Sequence, residues 1–213
     1  MAKLFPIYLN LKGKQCLIIG GGKVAERKIE DLLDYEPLIK VVSPRFEEKI
    51  MAWGREGVLS LQQRLFQEDD LDGSYIVFAA TDNNELNHRV ARLCRQRGIL
   101  VNAVDDPPNC DFYVPSIIRR NSLALAISTG GKSPMLARKL RQDLEKIIGN
   151  EYGEFVDILG EAREEIKKTI PDIEKRKRIF EAMVYSDILD LIKTGERDKV
   201  RERIEQCISS WQD

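Results

Sequence analysis

A glycine-rich turn near the start of the chain, Gly20-Gly21-Gly22-Lys23-Val24-Ala25, constrains the fold more than any other feature of the sequence. The turn follows residues 15–20 (QCLIIG), a short apolar run that predicts a buried strand. It precedes residues 24–35, in which apolar side chains recur at the spacing of a helix. A strand, a glycine turn and a helix in this order are typical of the first unit of a nucleotide-binding α/β domain.

The residue types in the turn point to a dinucleotide. The pattern is G-x-G-x-x-[G/A], with Gly20, Gly22 and Ala25 at its key positions. Gly20 permits the tight turn, Gly22 lets the backbone approach a pyrophosphate, and Ala25 allows the helix to pack closely on the strand. Backbone N–H groups at the helix N-terminus, from Lys23 and Val24 onward, favour the negative charge of phosphates. The alternative is a tight strand-to-helix connection that binds no ligand.

One part of the usual dinucleotide fingerprint is absent. An Asp or Glu that ends the second strand normally bonds the ribose hydroxyls, about 20 residues after the turn. Here that strand ends in Val42-Ser43-Pro44-Arg45. Ser43 or backbone groups can meet the ribose, whereas Arg45 suits a 2′-phosphate, so chemistry alone leaves NAD and NADP open.

The first half of the chain alternates strand-like and helix-like segments, which predicts a parallel sheet with right-handed crossovers. Strands are predicted at residues 15–20, 38–42, 58–61, 75–80 and 99–104, and helices at residues 24–35, 45–55 and 84–97, the last closed by Gly98.

The pattern changes after the last of these strands. Two more strands, residues 112–118 and 122–128, are predicted to form a hairpin around a turn at Arg119-Arg120-Asn121. Ser133-Pro134 is a favourable helix start, and the densely charged remainder predicts helices with breaks near residues 149–150, 170–171 and 194–195. The predicted fold class is therefore α/β: a Rossmann-like parallel sheet, a small β region and a helical C-terminal part.

Composition excludes several classes of protein. The 213 residues include 34 Lys or Arg and 35 Asp or Glu, a balance that argues against a nucleic-acid binder acting through bulk positive charge. No apolar run approaches the roughly 20 residues of a membrane span, and no secretory signal is visible, so a cytoplasmic protein is expected. Four scattered cysteines and one histidine predict free thiols and no metal site.

Polar residues follow two of the predicted strands, where such sheets bind their ligands. Thr81 follows one strand, and Asp105 directly ends the other. A carboxylate beside a nicotinamide can act as general base or orient a substrate. Asp105 is preferred over Asp106, which precedes Pro107 and suits a turn. A solvated Asp-Asp-Pro-Pro turn is the alternative.

Other candidates carry less weight. His88 lies on a predicted helix among polar residues, which indicates a solvated face, and nothing adjacent marks Cys110 as a nucleophile. A basic stretch surrounds the β region and the helix that follows. Its members are Arg119, Arg120, Lys132, Arg138, Lys139 and Arg141. The stretch is either a solvated helix surface or a receptor for a polycarboxylate, to which guanidinium groups are well suited.

Several segments, in order and at family spacing, resemble the precorrin-2 dehydrogenase and sirohydrochlorin ferrochelatase family, the N-terminal module of siroheme synthases. The segments are FPI at residues 5–7, CLIIGGGKVAERK at 16–28, FAATD at 78–82, VNAVDD at 101–106, FYVPSII at 112–118 and AISTGGKSPMLAR at 126–138. They span roughly residues 5–145, and the helical tail resembles the family's C-terminal domain more weakly.

The resemblance implies an NAD-dependent oxidation of precorrin-2, a tetrapyrrole with eight carboxylate side chains, to sirohydrochlorin. It implies that Asp105 is the catalytic residue, as general base or substrate-orienting group. The cofactor-binding residues are expected to be Gly20, Gly22, Lys23, Val24, Ser43, Pro44, Arg45 and Thr81. The substrate-binding residues are expected to be Thr129, Gly130, Lys132 and Arg119.

The resemblance also implies a homodimer and three regions. These are an NAD-binding domain at residues 1–112, a dimerisation and substrate region at 113–148, and a helical domain at 149–213. Two alternatives to a simple dehydrogenase remain: an enzyme that also inserts Fe²⁺ into sirohydrochlorin, and a non-catalytic protein that senses NAD. The single histidine favours the dehydrogenase without iron insertion.

Overall fold

The computed structural model describes residues 4–210, so the outermost three residues of the expected first and last domains lie outside it. The chain separates into two compact units, the first ending at Val114 and the second beginning at Pro115. The predicted division into three regions at residues 112/113 and 148/149 stays a prediction.

Five short strands form one parallel sheet in the first unit, which confirms the predicted α/β class. They are β1 (Gln15–Ile19), β2 (Leu38–Val42), β3 (Ser60–Gln62), β4 (Ile76–Ala79) and β5 (Leu100–Ala103). The order across the sheet is β3-β2-β1-β4-β5. The strand order reverses between β1 and β4, and open α/β sheets bind ligands outside the carboxyl ends of the strands at such a point.

Three helices connect these strands: α1 (Lys23–Leu33), α2 (Glu48–Arg55) and α3 (Asn84–Gln96). Gly98, at φ +69°, follows α3 as predicted. The helix predicted at residues 45–55 begins later, at Glu48, because the backbone N–H of Glu47 donates to the Gly21 carbonyl at 2.8 Å. The residues after β2 therefore fold onto the glycine turn. Two 3₁₀ turns, Glu68–Leu71 and Pro107–Asn109, had no clear sequence signal.

The sheet is buried on both faces, as expected for parallel strands covered by helices. Alternate residues of each strand enter opposite cores because side chains alternate along a strand. The two cores contain Ile18, Ile29, Ile50 and Phe78 on one face and Leu17, Val77, Val90 and Cys94 on the other.

A buried ion cluster ties β2 to the segment after β3. Asp70, 2% exposed, accepts hydrogen bonds from both Nη atoms of Arg64 at 2.7 Å and from Lys40 Nζ at 2.9 Å. The backbone N–H of Gln67 donates to it as well. These bonds, the one from Arg64 foremost, hold the pKa of Asp70 well below its usual range.

The second unit begins with an antiparallel hairpin of β6 (Ser116–Arg120) and β7 (Leu123–Ile127). The predicted turn at Arg119-Arg120-Asn121 is wrong, because both arginines belong to β6. Arg120 Nε donates to the Ile148 carbonyl at 3.2 Å, which fixes this arginine in the strand. The turn begins instead at Asn121, whose φ of +48° lies in the left-handed region that Asn tolerates.

The strand predicted at residues 112–118 also starts late, at Ser116, because Phe112 belongs to the first unit. Its ring meets that of Phe78 edge to face, with centroids 5.4 Å apart. Its carbonyl accepts a hydrogen bond from Asn102 Nδ2 at 2.9 Å.

Helices make up the rest of the second unit, as predicted. They are α4 (Pro134–Glu145), α5 (Asn150–Thr169), α6 (Ile173–Val184), α7 (Ile188–Thr194) and α8 (Arg197–Ser209). Ser133 caps α4 by accepting the Leu136 N–H at 3.3 Å, and the three predicted breaks are confirmed. A further break between α6 and α7 was missed. The core contains Phe155, Ile166, Ile179, Met183, Ile188 and Ile192.

Among residues 4–210, no helix combines the length and the apolar character needed to cross a membrane.

Candidate active site

The glycine turn lies at the carboxyl edge of the sheet, between the ends of β1 and β4. Gly20 has φ +120°, and a Cβ at this position would lie 2.2 Å from the Ala80 carbonyl oxygen. Its N–H donates to the Val42 carbonyl at 3.0 Å. Only glycine fits here, since both the backbone conformation and the contact with Ala80 exclude a side chain.

Gly21 is equally constrained, although the dinucleotide pattern leaves its position free. A Cβ here would lie 2.1 Å from the Arg45 carbonyl oxygen and 2.9 Å from Ser43 Oγ. The sequence signal was the extra, middle glycine of the run, but the cause is a contact with the loop after β2 that only the fold reveals.

Gly22 differs from its two neighbours because nothing lies within 4 Å of a Cβ built on it. It is the N-cap of α1, in extended conformation, and has no side chain with which to cap the helix. The N-terminus of α1 therefore faces open space at Gly22, and Lys23 and Val24 are the first two residues of the helix. Ala25 is fully buried, which allows the close helix–sheet contact. The turn thus fits a dinucleotide pyrophosphate, by shape and by the helix dipole.

The loop after β2 holds the three residues expected at the ribose and adenine side. Ser43 is buried, and its Oγ accepts the Arg45 N–H at 3.4 Å. Pro44 and Arg45 are exposed. The fold brings this loop to the glycine turn through Gly21, so these predicted cofactor residues lie beside one another.

Thr81 follows β4 and is held by a buried side chain that sequence analysis did not single out. Asn87 of α3 is 2% exposed. Its Oδ1 accepts the Thr81 hydroxyl at 2.7 Å and the Thr81 N–H at 3.4 Å, and its Nδ2 donates to the Thr81 carbonyl at 2.9 Å. Asn87 therefore fixes the loop next to Gly20.

Asp105 follows β5 at the same edge of the sheet. Its φ of +58° is left-handed, a conformation that few residues other than glycine adopt and that is often found at functional sites. The side chain is exposed. The preceding residue, Val104, donates its N–H to the Ala79 carbonyl at 2.9 Å, which ties the loop to the end of β4.

Asp106 has a different role from its neighbour. Its Oδ2 accepts a hydrogen bond from Asn109 Nδ2 at 2.7 Å and lies 2.8 Å from His88 Nε2. The Asp106 carboxylate therefore braces the loop, while that of Asp105 points to solvent. His88, 59% exposed at its side chain, serves this structural contact.

Lys28 was also missed by sequence analysis. Its side chain on α1 is only 15% exposed, and its ammonium lies 3.8 Å from Asp31 Oδ2. Burial lowers the pKa of Lys28, and the charges of Asp31 and Asp105 oppose this shift. A largely buried ammonium therefore interacts electrostatically with Asp105.

The four cysteines are free thiols. Cys110 donates its S–H to the Ala103 carbonyl at 3.0 Å, and burial raises its pKa. Burial likewise raises the pKa of Cys16 to about 11 and of Cys94 to about 12. Thiols with raised pKa values are poor nucleophiles at neutral pH.

The expected substrate residues belong to the second unit. Thr129 and Gly130 lie in the loop between β7 and α4, where Thr129 Oγ1 accepts the Ser133 N–H at 3.1 Å and Gly130 has φ +61°. Lys132 is exposed in this loop, whereas Arg119 is exposed on β6.

Two further members of the basic stretch form ion pairs along α4. Arg141 pairs with Glu145 at 2.6 Å, and Lys139 pairs with Asp143. Within residues 4–210, no three His, Cys, Asp or Glu side chains gather into a group that could hold a metal ion.

Three family profiles match this chain in succession. One described as "Putative NAD(P)-binding" covers residues 7–116, slightly more than half of the chain. One described as "Sirohaem biosynthesis protein central" covers residues 120–147. The third, "Sirohaem synthase dimerisation region", covers residues 151–208.

Among curated proteins, a siroheme synthase of Nitrosococcus oceani is 37% identical over 95% of this chain and 43% of its own length. A siroheme synthase of Thioalkalivibrio sulfidiphilus is 37% identical over 98% of this chain and 43% of its own length. The chain thus spans less than half the length of these relatives. Among solved structures, SirC, a precorrin-2 dehydrogenase, is 25% identical with a TM-score of 0.79, covering 96% of this chain and 98% of that one.

Proposed function

This chain belongs to the siroheme synthase and precorrin-2 dehydrogenase family, and on that premise we propose that it oxidises precorrin-2 to sirohydrochlorin with NAD. One observation carries the proposal above the others. The chain aligns with 98% of the length of a precorrin-2 dehydrogenase, but with only 43% of the length of the siroheme synthases. The shared portion is therefore the one that corresponds to the dehydrogenase.

The glycine turn supports the cofactor assignment. Gly20 and Gly21 hold the turn closed against Ala80 and Arg45, while Gly22 leaves open space at the uncapped start of α1. We assign the pyrophosphate to the N–H groups of this turn and the adenosine half to the loop of residues 43–45. When bound, NAD accepts the hydride that the substrate loses.

Asp105 acts on the substrate in this proposal. Oxidation by two electrons removes a hydride and a proton, and a carboxylate can take the proton or orient the atom that loses it. The left-handed backbone projects the Asp105 side chain from the carboxyl edge, while Asp106 turns back to Asn109 and His88. Lys28 adds a positive charge near that carboxylate.

The substrate residues and the dimer complete the proposal. The eight carboxylates of precorrin-2 suit the cationic side chains of Lys132 and Arg119, with Thr129 and Gly130 near the macrocycle. A homodimer is supported by apolar side chains left open on α4 and just after it, since Leu136, Leu140 and Ile147 are 47%, 40% and 63% exposed. A cytoplasmic location remains a prediction.

An anaerobic assay with purified protein, precorrin-2 and NAD tests this function. We expect NADH to appear together with the absorption spectrum of sirohydrochlorin. Fe²⁺ added afterwards tests the iron-insertion alternative, for which siroheme must form faster than in a protein-free control. Absence of NADH from folded protein contradicts the proposal and favours the alternative of an NAD sensor.

Asp105→Asn is the sharpest variant, because Asn also tolerates the left-handed conformation and keeps a hydrogen-bonding side chain. We expect turnover to fall at least about 100-fold if Asp105 takes the proton, the usual contribution of a general base. A much smaller loss assigns it an orienting role. Asp82→Asn, an exposed residue after the neighbouring strand, is the matched control.

A further inference from the structure

Three charged side chains form an ion-pair cluster at the N-terminus of α1, directly after the glycine turn. Lys23 Nζ lies 3.0 Å from Glu47 Oε2 and 3.3 Å from Glu26 Oε2. The side chains of Glu26 and Glu47 are 16% and 35% exposed, whereas that of Lys23 is 75% exposed. Two carboxylates and one ammonium leave this cluster with a formal charge of one negative unit.

The backbone holds Glu47 in this place. Its N–H donates to the Gly21 carbonyl at 2.8 Å. The neighbouring Phe46 ring and Arg45 carbonyl occupy the space that a side chain at Gly21 would need. Glu47 is the N-cap residue of α2, but its side chain does not cap that helix. The carboxylate is turned toward the glycine turn instead.

No Asp or Glu stands at the end of β2. Ser43, the first residue after that strand, is 7% exposed and uses its hydroxyl to accept the Arg45 N–H. In Rossmann folds an acid after the second strand bonds the ribose hydroxyls and thereby favours NAD. Glu47 lies in the same loop, four residues after Ser43, and its carboxylate contacts Lys23 beside the glycine turn.

We propose that the Glu47 carboxylate bonds the ribose hydroxyls in place of the acid that is absent from the end of β2. The cluster of Lys23, Glu26 and Glu47 thereby selects NAD over NADP. The proposal rests on the NAD site proposed above. A 2′-phosphate meets a net negative cluster in which the only ammonium is already shared by two carboxylates. The bonds to Glu47 and Glu26 also raise the pKa of Lys23.

Binding of the two nucleotides, measured by calorimetry and by the fluorescence of the reduced forms, tests the proposal without turnover. The quantity of interest is the ratio of the Kd for NADP to the Kd for NAD. In Glu47→Gln we expect this ratio to fall about tenfold, the effect of about 1.4 kcal/mol from one charge-assisted hydrogen bond. In Lys23→Gln we expect the ratio to rise, because two unneutralised carboxylates repel the 2′-phosphate more strongly.

Glu48→Gln is the matched control, since the next carboxylate along the chain pairs with Arg55 at 2.7 Å on α2, away from the turn. Its ratio should equal that of the wild type. Raising the salt to about 0.5 M should shrink the effect of Glu47→Gln, because the Debye length falls to a few ångströms. Thermal unfolding verifies that each variant is folded, and Glu47→Ala replaces the glutamine variant if that one is not.

The other outcomes separate two failures. A wild type that prefers NADP, or a folded Glu47→Gln protein with an unchanged ratio, overturns the role of Glu47 but leaves the nucleotide site intact. If either result is accompanied by a loss of NADP affinity in Arg45→Gln, Arg45 is the residue that binds the 2′-phosphate. A folded wild type that binds neither nucleotide overturns the NAD site, and this inference with it.

Discussion

The buried side chain of Asn87 bonds all three polar groups of Thr81: its N–H, its carbonyl and its hydroxyl. Asn87 lies on α3, whereas Thr81 follows β4 next to Gly20. A single carboxamide thus ties the helix after β4 to the loop that borders the glycine turn. The position of this loop depends on a residue that itself contacts no ligand in our proposal.

Replacing Asn87 with Leu should both destabilise the fold and weaken nucleotide binding. Three buried bonds are lost and the polar groups of Thr81 are left without them, so we expect the free energy of unfolding to fall by about 2–3 kcal/mol. Urea unfolding and NADH fluorescence titration measure the two effects. Asn84→Ala, an exposed position on the same helix, should change neither by much. Wild-type stability in Asn87→Leu contradicts the proposed anchoring.

Substitutions at Gly20 and Gly22 should separate stability from binding. Gly20→Ala places a Cβ 2.2 Å from the Ala80 oxygen at φ +120°, and we expect a loss of more than about 2 kcal/mol in the free energy of unfolding. In Gly22→Asp the new side chain enters open space and is a good N-cap for α1. This variant should therefore unfold at the wild-type temperature or slightly above. The same carboxylate should abolish NAD binding. Retained NAD affinity in Gly22→Asp contradicts our assignment of the pyrophosphate.

The buried Asp70 should make stability depend on acid pH. Its folded pKa lies below the unfolded value of about 4, so its bonds to Arg64 and Lys40 stabilise the protein fully above that value. This contribution is lost as the pH falls below about 4, toward the folded pKa. Asp70→Asn should lower the free energy of unfolding by about 3 kcal/mol at pH 7 and flatten the acid limb of the stability curve.

Asp72→Asn is the control for that experiment. Its carboxylate is 72% exposed and pairs with Arg97 at 2.6 Å, so its loss should cost less than about 1 kcal/mol. Equal losses for the two variants in urea unfolding between pH 3 and pH 7 contradict the role given to the buried cluster.

The apolar side chains on α4 should hold the proposed dimer together. Leu136 and Leu140 lie one turn apart on the same face of the helix and are both exposed in the single chain. Leu140→Asp should therefore yield a monomer in light scattering at micromolar concentration. Lys139→Gln, one residue away, removes only an exposed ion pair with Asp143 and should remain dimeric. A wild-type monomer, or a dimeric Leu140→Asp protein, contradicts this interface.

Local sequence patterns predicted most of the secondary structure because their causes are local. Gly20 and Gly22 were recognisable from their spacing, and Ser133-Pro134 from capping preferences. The hairpin turn was misplaced because Arg120 is held in β6 by the carbonyl of Ile148, 28 residues later. No local pattern reports a contact of that kind.

The same limit applies to the candidate site. Asp105 was predicted as the residue that ends a strand, but its left-handed backbone became visible only in the fold. Gly21 and Glu47 were not singled out, because each matters through contacts between two distant segments of the chain. Asn87 was not singled out because its burial and its bonds to Thr81 appear only in the fold. Lys28 resembled any charged helix residue until its burial was known.

The most direct test of the whole account is the yield of NADH from anaerobic precorrin-2 and NAD, compared between the wild type and Gly22→Asp. We predict NADH and sirohydrochlorin in equal amounts from the wild type, and neither from a Gly22→Asp protein that is fully folded. Equal NADH formation by both proteins would place the cofactor elsewhere, and no NADH from either would contradict the proposed reaction.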